Sequence, residues 1–249
     1  MSFFDRRIVV IDTETSGIPA LDNDGQLDHR ITEIGCVEII NGQITSNNYQ
    51  VYLDPQREVD FGAEQVHGLS RTDLEQLSEG KTFATQVDDL MDYLEGATLV
   101  AHNAKFDTDF IDAELNALNL IPLSERHFKV IDSLKVANRV FPRKKNNLDD
   151  LCDRCNVSKE QREFHGALLD AELLAAVFIE MTKGKEHLID PKQQQISMLK
   201  PQDTGFNFQE LNNLPVVTPS KDEITAHNAK CDEILKANPD SKIKHLNPK

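Results

Sequence analysis

A short apolar run near the start of the chain ends in two carboxylates, and this pattern constrains the fold more than any other. Residues 7–12 read Arg-Ile-Val-Val-Ile-Asp, and Glu14 follows Asp12 by two positions. The run predicts a buried strand, on which alternate side chains point to the same face. Buried carboxylates are costly unless cations or hydrogen bonds compensate them. Acids also alternate on solvated strands, but the position of these two at the end of an apolar strand favours a metal site.

The rest of the first 182 residues predicts a mixed α/β fold. Strands at 31–40 and 48–53, with the turn-forming pair Asn41-Gly42 between them, are expected to form an antiparallel meander with the first strand. Alternating strands and helices follow, which is typical of layered α/β proteins. We predict strands at 98–102 and 128–132, and helices at 85–94, 107–118, 147–155 and 167–181.

The C-terminal part of the chain has a different composition. Beyond Gly184 few large apolar residues remain and Pro, Gln and Asn recur, which predicts a flexible linker. Residues 195–199 form an apolar island that suggests docking, and a capping box at 220–223 predicts a helix at 223–236. We therefore divide the chain into a globular domain (1–182), a linker (183–213) and a C-terminal segment (214–249).

A third candidate acid, Asp107, follows the predicted strand at 98–102. Sheets of the α/β class commonly present ligands at the carboxyl ends of their strands. The alternative role is an N-cap for the predicted helix at 107–118. A cap would not explain the acids that end the first strand, so we favour a metal ligand.

His165 and Asp170 complete the candidate set. Five positions on an ideal helix separate two side chains by about 140°, so they would not share a helical face. Gly166 indicates that His165 lies on the loop before the helix and that Asp170 projects from its first turns. A histidine there can accept a proton near neutral pH, although lone histidines are more often surface or core residues.

The formal charge of −15 is unusual for a chain that would bind nucleic acid, because phosphate binding normally relies on Lys and Arg. Residues 1–182 carry −16 and the remainder +1, with one basic patch at 143–145. We therefore expect a partner that holds the substrate. The sequence shows no secretion signal, membrane span or disulfide framework, and Cys152 and Cys155 lack the second pair that a zinc site requires. We expect a reduced, cytoplasmic protein that does not bind membranes.

The pattern of Asp12-x-Glu14, a distant Asp107 and then His165-x4-Asp170 resembles the DEDDh family of 3′-to-5′ exonucleases, and seven segments extend the similarity across most of residues 6–182. The resemblance implies a ribonuclease H-like fold, with an antiparallel meander plus parallel strands flanked by helices. The matching segments are Val10-Ile-Asp-Thr-Glu-Thr-Ser-Gly17, Ile31-Thr-Glu-Ile-Gly35, Val66-His-Gly68, Ala101-His-Asn-Ala-Lys-Phe-Asp107, Ile131-Asp-Ser-Leu134, Phe141-Pro-Arg-Lys-Lys-Asn-Asn-Leu-Asp149 and His165-Gly-Ala-Leu-Leu-Asp-Ala171.

The resemblance also implies a role for each candidate residue. Asp12, Glu14, Asp107 and Asp170 would hold two divalent metal ions, Mg²⁺ or Mn²⁺, and His165 would be the general base. The substrate-binding set would be Asp12, Glu14, His67 and Asp170, although His67 could also be a simple turn residue. The implied reaction hydrolyses the last phosphodiester and releases a nucleoside 5′-monophosphate.

Within this family, the chain is similar to the proofreading subunits of bacterial DNA polymerase III. The similarity includes Leu214-Pro-Val-Val217 and residues 222–229, in the region that binds the polymerase (alpha) subunit in that group. Residues 195–199 resemble a sliding-clamp motif, although Lys200 stands where a final aromatic residue is expected. The implied partners are the single-stranded 3′ end of a primer, the alpha subunit and the sliding clamp, in a nucleoid-associated replisome.

Two other functions are compatible with parts of the pattern. An independent RNA-processing exonuclease of the same family would have the same acids but no polymerase-binding tail. A catalytically silent adaptor between polymerase and clamp would have lost at least one of the acids. The tail argues against the first, and the intact acid set argues against the second.

Overall fold

The computed structural model describes residues 3–160, 164–189 and 221–237. The chain divides into two compact units, residues 1–197 and 198–249, and each is described by itself. The first unit contains the following strands and helices: β1 (Ile8–Thr15), β2 (Ile31–Ile40), β3 (Gln43–Ile44), β4 (Tyr49–Tyr52), α1 (Phe61–His67), α2 (Arg71–Leu77), α3 (Phe83–Leu94), β5 (Thr98–Ala101), α4 (Lys105–Ala117), β6 (Lys129–Asp132), α5 (Ser133–Val140), α6 (Leu148–Cys155) and α7 (Ala167–Thr182).

The six strands form one mixed sheet in the order β3-β2-β1-β5-β6, with β4 also paired to β2. β1 and β2 are antiparallel, whereas β1, β5 and β6 run parallel to one another. The predicted combination of an antiparallel meander and parallel strands is confirmed. β1 extends to Thr15 instead of ending at Asp12, because β2 is long enough to pair with it along its whole length.

The turn at Asn41-Gly42 was predicted correctly, but its hairpin is shorter than expected. Both residues have a left-handed φ, 52° and 74°, which suits the right-handed twist of a hairpin. The turn leads into β3, which pairs with β2 at Ile39 and Ile40 only. The chain then returns as β4, which pairs with the other half of β2.

Helices cover both faces of the sheet, and two apolar clusters separate the layers. Alternate residues of β1 point to opposite clusters, as the strand period requires. One cluster joins the sheet to α3 and α4, through Val9, Ile11, Leu90, Leu94, Phe110 and Ile111. The other joins it to α5, α6 and α7, through Ile8, Val10, Val37, Val136, Leu151, Leu174 and Phe178.

Three short helices, α1, α2 and α5, were not predicted. Each has only seven or eight residues, so its helical period is short, although the equally short α6 was predicted. In α1 the large apolar residues Phe61 and Val66 are exposed, so the usual pattern of a core-facing stripe is absent. A signal was present for α2, since Ser70 and Asp73 form a capping box.

The described part of the second unit is one helix, α8 (Lys221–Ala237). It contains the predicted helix at 223–236. The predicted cap at Ser220 and the island at 195–199 lie outside the described residues, and the division into three segments stays a prediction. Among the described helices, none combines the length and the apolar character needed to cross a bilayer.

Candidate active site

The candidate site lies where β1 extends past its parallel neighbour. β5 pairs with β1 only as far as Val10, so Asp12 and Glu14 stand beyond that pairing. Their side chains lie on the same face of β1 as those of Ile8 and Val10, which is the face that packs against α7. Asp12 is partly buried and Glu14 is 9% exposed.

Asp107 approaches from the other face of the sheet, in the first turn of α4. Its side chain is buried, and its Oδ1 accepts a hydrogen bond from Thr13 Oγ1 at 2.9 Å. α4 begins two residues before the predicted start, with Ala104 at the N-cap position. The alternative interpretation of Asp107 as the N-cap is therefore wrong.

Asp170 and His165 come from the start of α7. Asp170 is buried in the first turn of the helix, and His165 lies on the preceding loop, as predicted. His165 Nδ1 is 3.0 Å from Asp170 Oδ2, and the backbone N–H of His165 donates to the carbonyl of Val66. One possible ligand atom from each of Glu14, His165 and Asp170 lies within 4.8 Å of the others.

The electrostatics of the site favour a bound cation. Burial, reinforced by the neighbouring carboxylates of Asp107, Glu14 and Asp170, raises the pKa of Asp12 well above its usual range. Burial also raises the pKa of Asp107 to about 7, although the hydrogen bond from Thr13 opposes that rise. Buried like charges cannot all ionise without compensation. Carboxylate oxygens suit hard divalent cations, so the donor set fits such ions.

His67 lies at the end of α1 and borders the same site. It is buried, and its Nδ1 accepts a hydrogen bond from the backbone N–H of Leu69 at 3.1 Å. Burial lowers the pKa of His67, which a backbone hydrogen bond with Thr15 partly opposes. A neutral imidazole is therefore the form expected at neutral pH.

A cavity of about 400 Å³ is lined by both His67 and Glu14. Its lining is mostly apolar and includes residues to which the sequence analysis gave no role, although all but Ile18 lie in the matching segments: Thr15, Gly17, Ile18, Val66 and Phe106. Ile18 is 69% exposed, and an exposed large apolar side chain beside a cavity is typical of a binding site. A larger cavity, about 820 Å³ and lined in part by Arg6, Thr98 and Lys129, lies at the opposite end of the parallel strands and contains none of the candidate site residues.

The comparisons first define the class of protein. Residues 9–178 match the Exonuclease (RNase_T) family. A structure of Exonuclease X in complex with 5′ overhanging duplex DNA is 24% identical, with a TM-score of 0.53 over 72% of this chain and 92% of that chain. The nuclease domain of 3′hExo, a DEDDh family member bound to rAMP, is 16% identical, with a TM-score of 0.58 over 74% of this chain and 94% of that chain. These two likenesses support the fold.

A relative that matches over most of its length identifies the group within this family. DNA polymerase III subunit epsilon of Escherichia coli (strain K12) is 40% identical over 92% of this chain and 94% of that protein. The chain therefore belongs to the exonuclease family and, within it, to the epsilon subunits of DNA polymerase III. The family, the fold class and the 3′-to-5′ exonuclease activity predicted from the sequence are confirmed. The roles of individual residues stay predictions.

Proposed function

We propose that this chain removes mispaired nucleotides from the 3′ end of a primer, as the proofreading subunit of the replicative DNA polymerase III. The observation that carries the proposal is that possible ligand atoms of Glu14, His165 and Asp170 lie within 4.8 Å of one another, and that Asp12 interacts electrostatically with Glu14, Asp107 and Asp170. Membership of the epsilon family supports the same function. The product would be a nucleoside 5′-monophosphate.

The four acids would hold two divalent ions, Mg²⁺ or Mn²⁺. When bound, such a pair supplies charge compensation at the scissile phosphodiester and acidifies the attacking water. The hydrogen bond from Thr13 fixes the carboxylate of Asp107 in this proposed donor set. Asp12, Glu14 and Asp170 would also lie beside the terminal nucleotide.

His165 would act as the general base. Its side chain is 46% exposed, so it can reach the attacking water. Because the carboxylate of Asp170 accepts a hydrogen bond from Nδ1–H, Nε2 is left with the lone pair that takes the proton. The loop position before α7 lets the ring turn over the site without moving the helix.

His67 and the apolar cavity would hold the terminal nucleoside. A base that enters this cavity must leave its stack, and a mispaired end unstacks at a lower free-energy cost than a paired end. Selection would therefore depend on melting of the primer end more than on hydrogen bonds to one particular base.

The partners explain how an acidic chain keeps its substrate. A polymerase that already grips the duplex supplies a high local concentration of primer ends, provided that the exonuclease is tethered to it. We assign binding of the alpha subunit to residues 214–249, which include α8, and binding of the sliding clamp to residues 195–199. The site of action would be the cytoplasmic, nucleoid-associated replisome.

The test is digestion of three substrates, in Mg²⁺ and again after EDTA. Paired and 3′-mispaired primer-templates and an RNA oligomer would be compared under the same conditions. We expect faster removal of the mispaired end, slow digestion of RNA, and no digestion in EDTA. Equal digestion of RNA would favour the RNA-processing enzyme, and no digestion at all would favour the silent adaptor.

A further inference from the structure

Glu33 is a fully buried carboxylate beside the candidate site, and none of the roles above uses it. It is 1% exposed and lies on β2, where its Cα pairs across the sheet with that of Glu14. Its neighbour two positions on, Gly35, pairs with Asp12. Glu33 therefore lies next to the strand that presents the first two acids.

The carboxylate of Glu33 is bonded to the start of α7. Oε2 accepts a hydrogen bond from the backbone N–H of Ala167, the first residue of the helix, at 3.0 Å. Oε1 accepts from Gln50 Nε2 at 2.9 Å. A helix start leaves backbone N–H groups without partners, and Gly166 at the N-cap position has no side chain to accept from them. Glu33 performs that function from a different element.

A close backbone contact reinforces this hydrogen bond. A Cβ atom placed on Gly35 would lie 2.2 Å from the carbonyl carbon of Ala167 and from the N atom of Leu168. The first turn of α7 therefore rests directly on β2, and only glycine leaves room for it. Glu33 and Gly35 hold the same turn at two adjacent points.

That turn carries Asp170 and directly follows the loop that carries His165. Ala167 follows His165 by two positions and precedes Asp170 by three. One possible ligand atom of His165 and one of Asp170 lie within 4.8 Å of one from Glu14. We propose that Glu33 is a positioning residue for hydrolysis, because its carboxylate caps α7 and so sets His165 and Asp170 against the acids of β1. The inference rests on the proposed function.

Two substitutions separate the hydrogen bond of Glu33 from its charge. Glu33→Met keeps the length of the side chain but cannot accept a hydrogen bond. Glu33→Gln loses the charge, but its amide oxygen can still accept a hydrogen bond from the Ala167 N–H. Its NH₂ group can donate to the Gln50 side chain once the Gln50 amide has flipped. We expect Glu33→Met to lower kcat by about 10–100-fold, as for other groups that orient metal ligands, with little change in KM. Glu33→Gln should retain most of the activity.

Amide hydrogen exchange gives a readout that does not depend on activity. Glu33→Met should lose protection at the Ala167 N–H, and Glu33→Gln should keep it. The matched control is Glu38→Met, which removes another buried β2 carboxylate at the opposite end of the strand. It should lower stability without changing kcat or the protection of Ala167.

A local cap supplies the rescue. Gly166 has the extended conformation of an N-cap residue, so the hydroxyl of Gly166→Ser can accept from the N–H of Leu168 or Leu169, the second and third residues of α7. We expect the double substitution Glu33→Met with Gly166→Ser to regain kcat and to protect the N–H of Leu168 or Leu169, while the Ala167 N–H stays unprotected. Protection of Leu168 or Leu169 without rescue of kcat would overturn the proposal.

Two further outcomes would also overturn it. One is full activity of Glu33→Met after loss of Ala167 protection. The other is a Glu33→Gln variant that is inactive but keeps the protection of the Ala167 N–H, since the charge of Glu33 rather than its hydrogen bond would then matter. This outcome can be tested even if Glu33→Met does not fold. Hydrolysis by the wild type in the same assay keeps these outcomes distinct from a failure of the proposed function, which would show as an inactive wild type.

Discussion

Buried carboxylates occur in two regions of the first unit, and the two regions compensate them differently. Glu38, on β2 opposite Val9, is held by Arg7 at 2.6 Å and by Thr45 and Asn47. Although burial acts in the other direction, these hydrogen bonds hold the pKa of Glu38 below its usual range. At the other end of the strands, burial and neighbouring acids raise the pKa of Asp12.

This difference distinguishes carboxylates that stabilise the fold from those arranged for function. Glu114 belongs with the first group, because both of its oxygens accept hydrogen bonds from Arg30, which fastens α4 to the start of β2. The cluster around Asp12 instead stores like-charge repulsion in the metal-free protein. Protonation of some of these acids, or a bound cation, compensates such a cluster.

The largest effect should follow from removing the proposed base. His165→Ala should lower kcat by about 10²–10⁴-fold, the usual contribution of general base catalysis, while leaving stability and Mn²⁺ affinity almost unchanged. Single-turnover hydrolysis and a Mn²⁺ titration would measure the two effects. His127→Ala is the matched control, since His127 is exposed and lines the distant cavity. Wild-type turnover by His165→Ala would remove His165 from the mechanism.

Neutralising one acid in each region should change stability in opposite directions. Glu38→Gln should destabilise the protein by about 1–3 kcal/mol, because Arg7 loses a charged hydrogen-bond partner. Asp12→Asn should stabilise the metal-free protein at pH 8, because it removes a buried like charge, and should abolish hydrolysis. Urea unfolding in EDTA measures both. Destabilisation by both substitutions would contradict the division into two regions.

The pH dependence of stability should show the same contrast. Because the folded-state pKa of Asp107 is about 7, above its unfolded value, the folded protein binds more protons between those two values. That stabilisation is complete at low pH and is lost as pH rises to about 7, with a slope near 1.4 kcal/mol per pH unit for one group. The lowered pKa of Glu38 has the reverse effect, since its contribution is lost as pH falls.

Divalent ions distinguish the contribution of Asp107 to the pH dependence of stability from that of Glu38. Under the proposed function, saturating Mg²⁺ should bind the ionised cluster and stabilise the folded state, and so abolish the loss of stability between about pH 4 and pH 7. Urea unfolding across this range, with Mg²⁺ and with EDTA, measures the change. A loss of stability that persists in saturating Mg²⁺ would show that other groups cause it.

The sequence predicted the sheet and the long helices because their periodicity is local. It did not predict α1, α2 or α5, which have only seven or eight residues each, although it did predict α6, which has eight. The strand that carries Asp12 and Glu14 was evident from its apolar run. Asp107 entered the candidate set because it follows a predicted strand, and Asp170 because it lies at a predicted helix start. The two-metal role of the whole set came from the family resemblance.

Other features of the site could not be predicted because they depend on tertiary contacts. Nothing in the local pattern around Thr13 shows that its hydroxyl reaches a residue 94 positions away. The contact from Glu33 to Ala167 spans 134 positions. Thr13 and Glu33 both lie within the matching segments. A sequence motif shows which residue type is present, but it does not show which group that residue contacts in the fold.

The smallest effect tests whether hydrogen bonds in the cluster serve metal binding. Thr13→Val removes the hydroxyl that donates to Asp107 and keeps the size of the side chain. This hydrogen bond lowers the pKa of Asp107, so its loss should favour the protonated acid. The Mg²⁺ concentration for half-maximal activity should rise about 2–10-fold, equivalent to ~0.5–1.5 kcal/mol.

The control for Thr13→Val lies in the other region. Thr45→Val removes a comparable hydroxyl, which donates to Glu38 Oε2 at 2.8 Å. Because Arg7 already compensates Glu38, this change should lower stability by a similar amount without altering the Mg²⁺ dependence. An equal shift in Mg²⁺ dependence for both variants would mean that the effect follows from general destabilisation, and the cluster at Asp12 would then have no special relation to the metal.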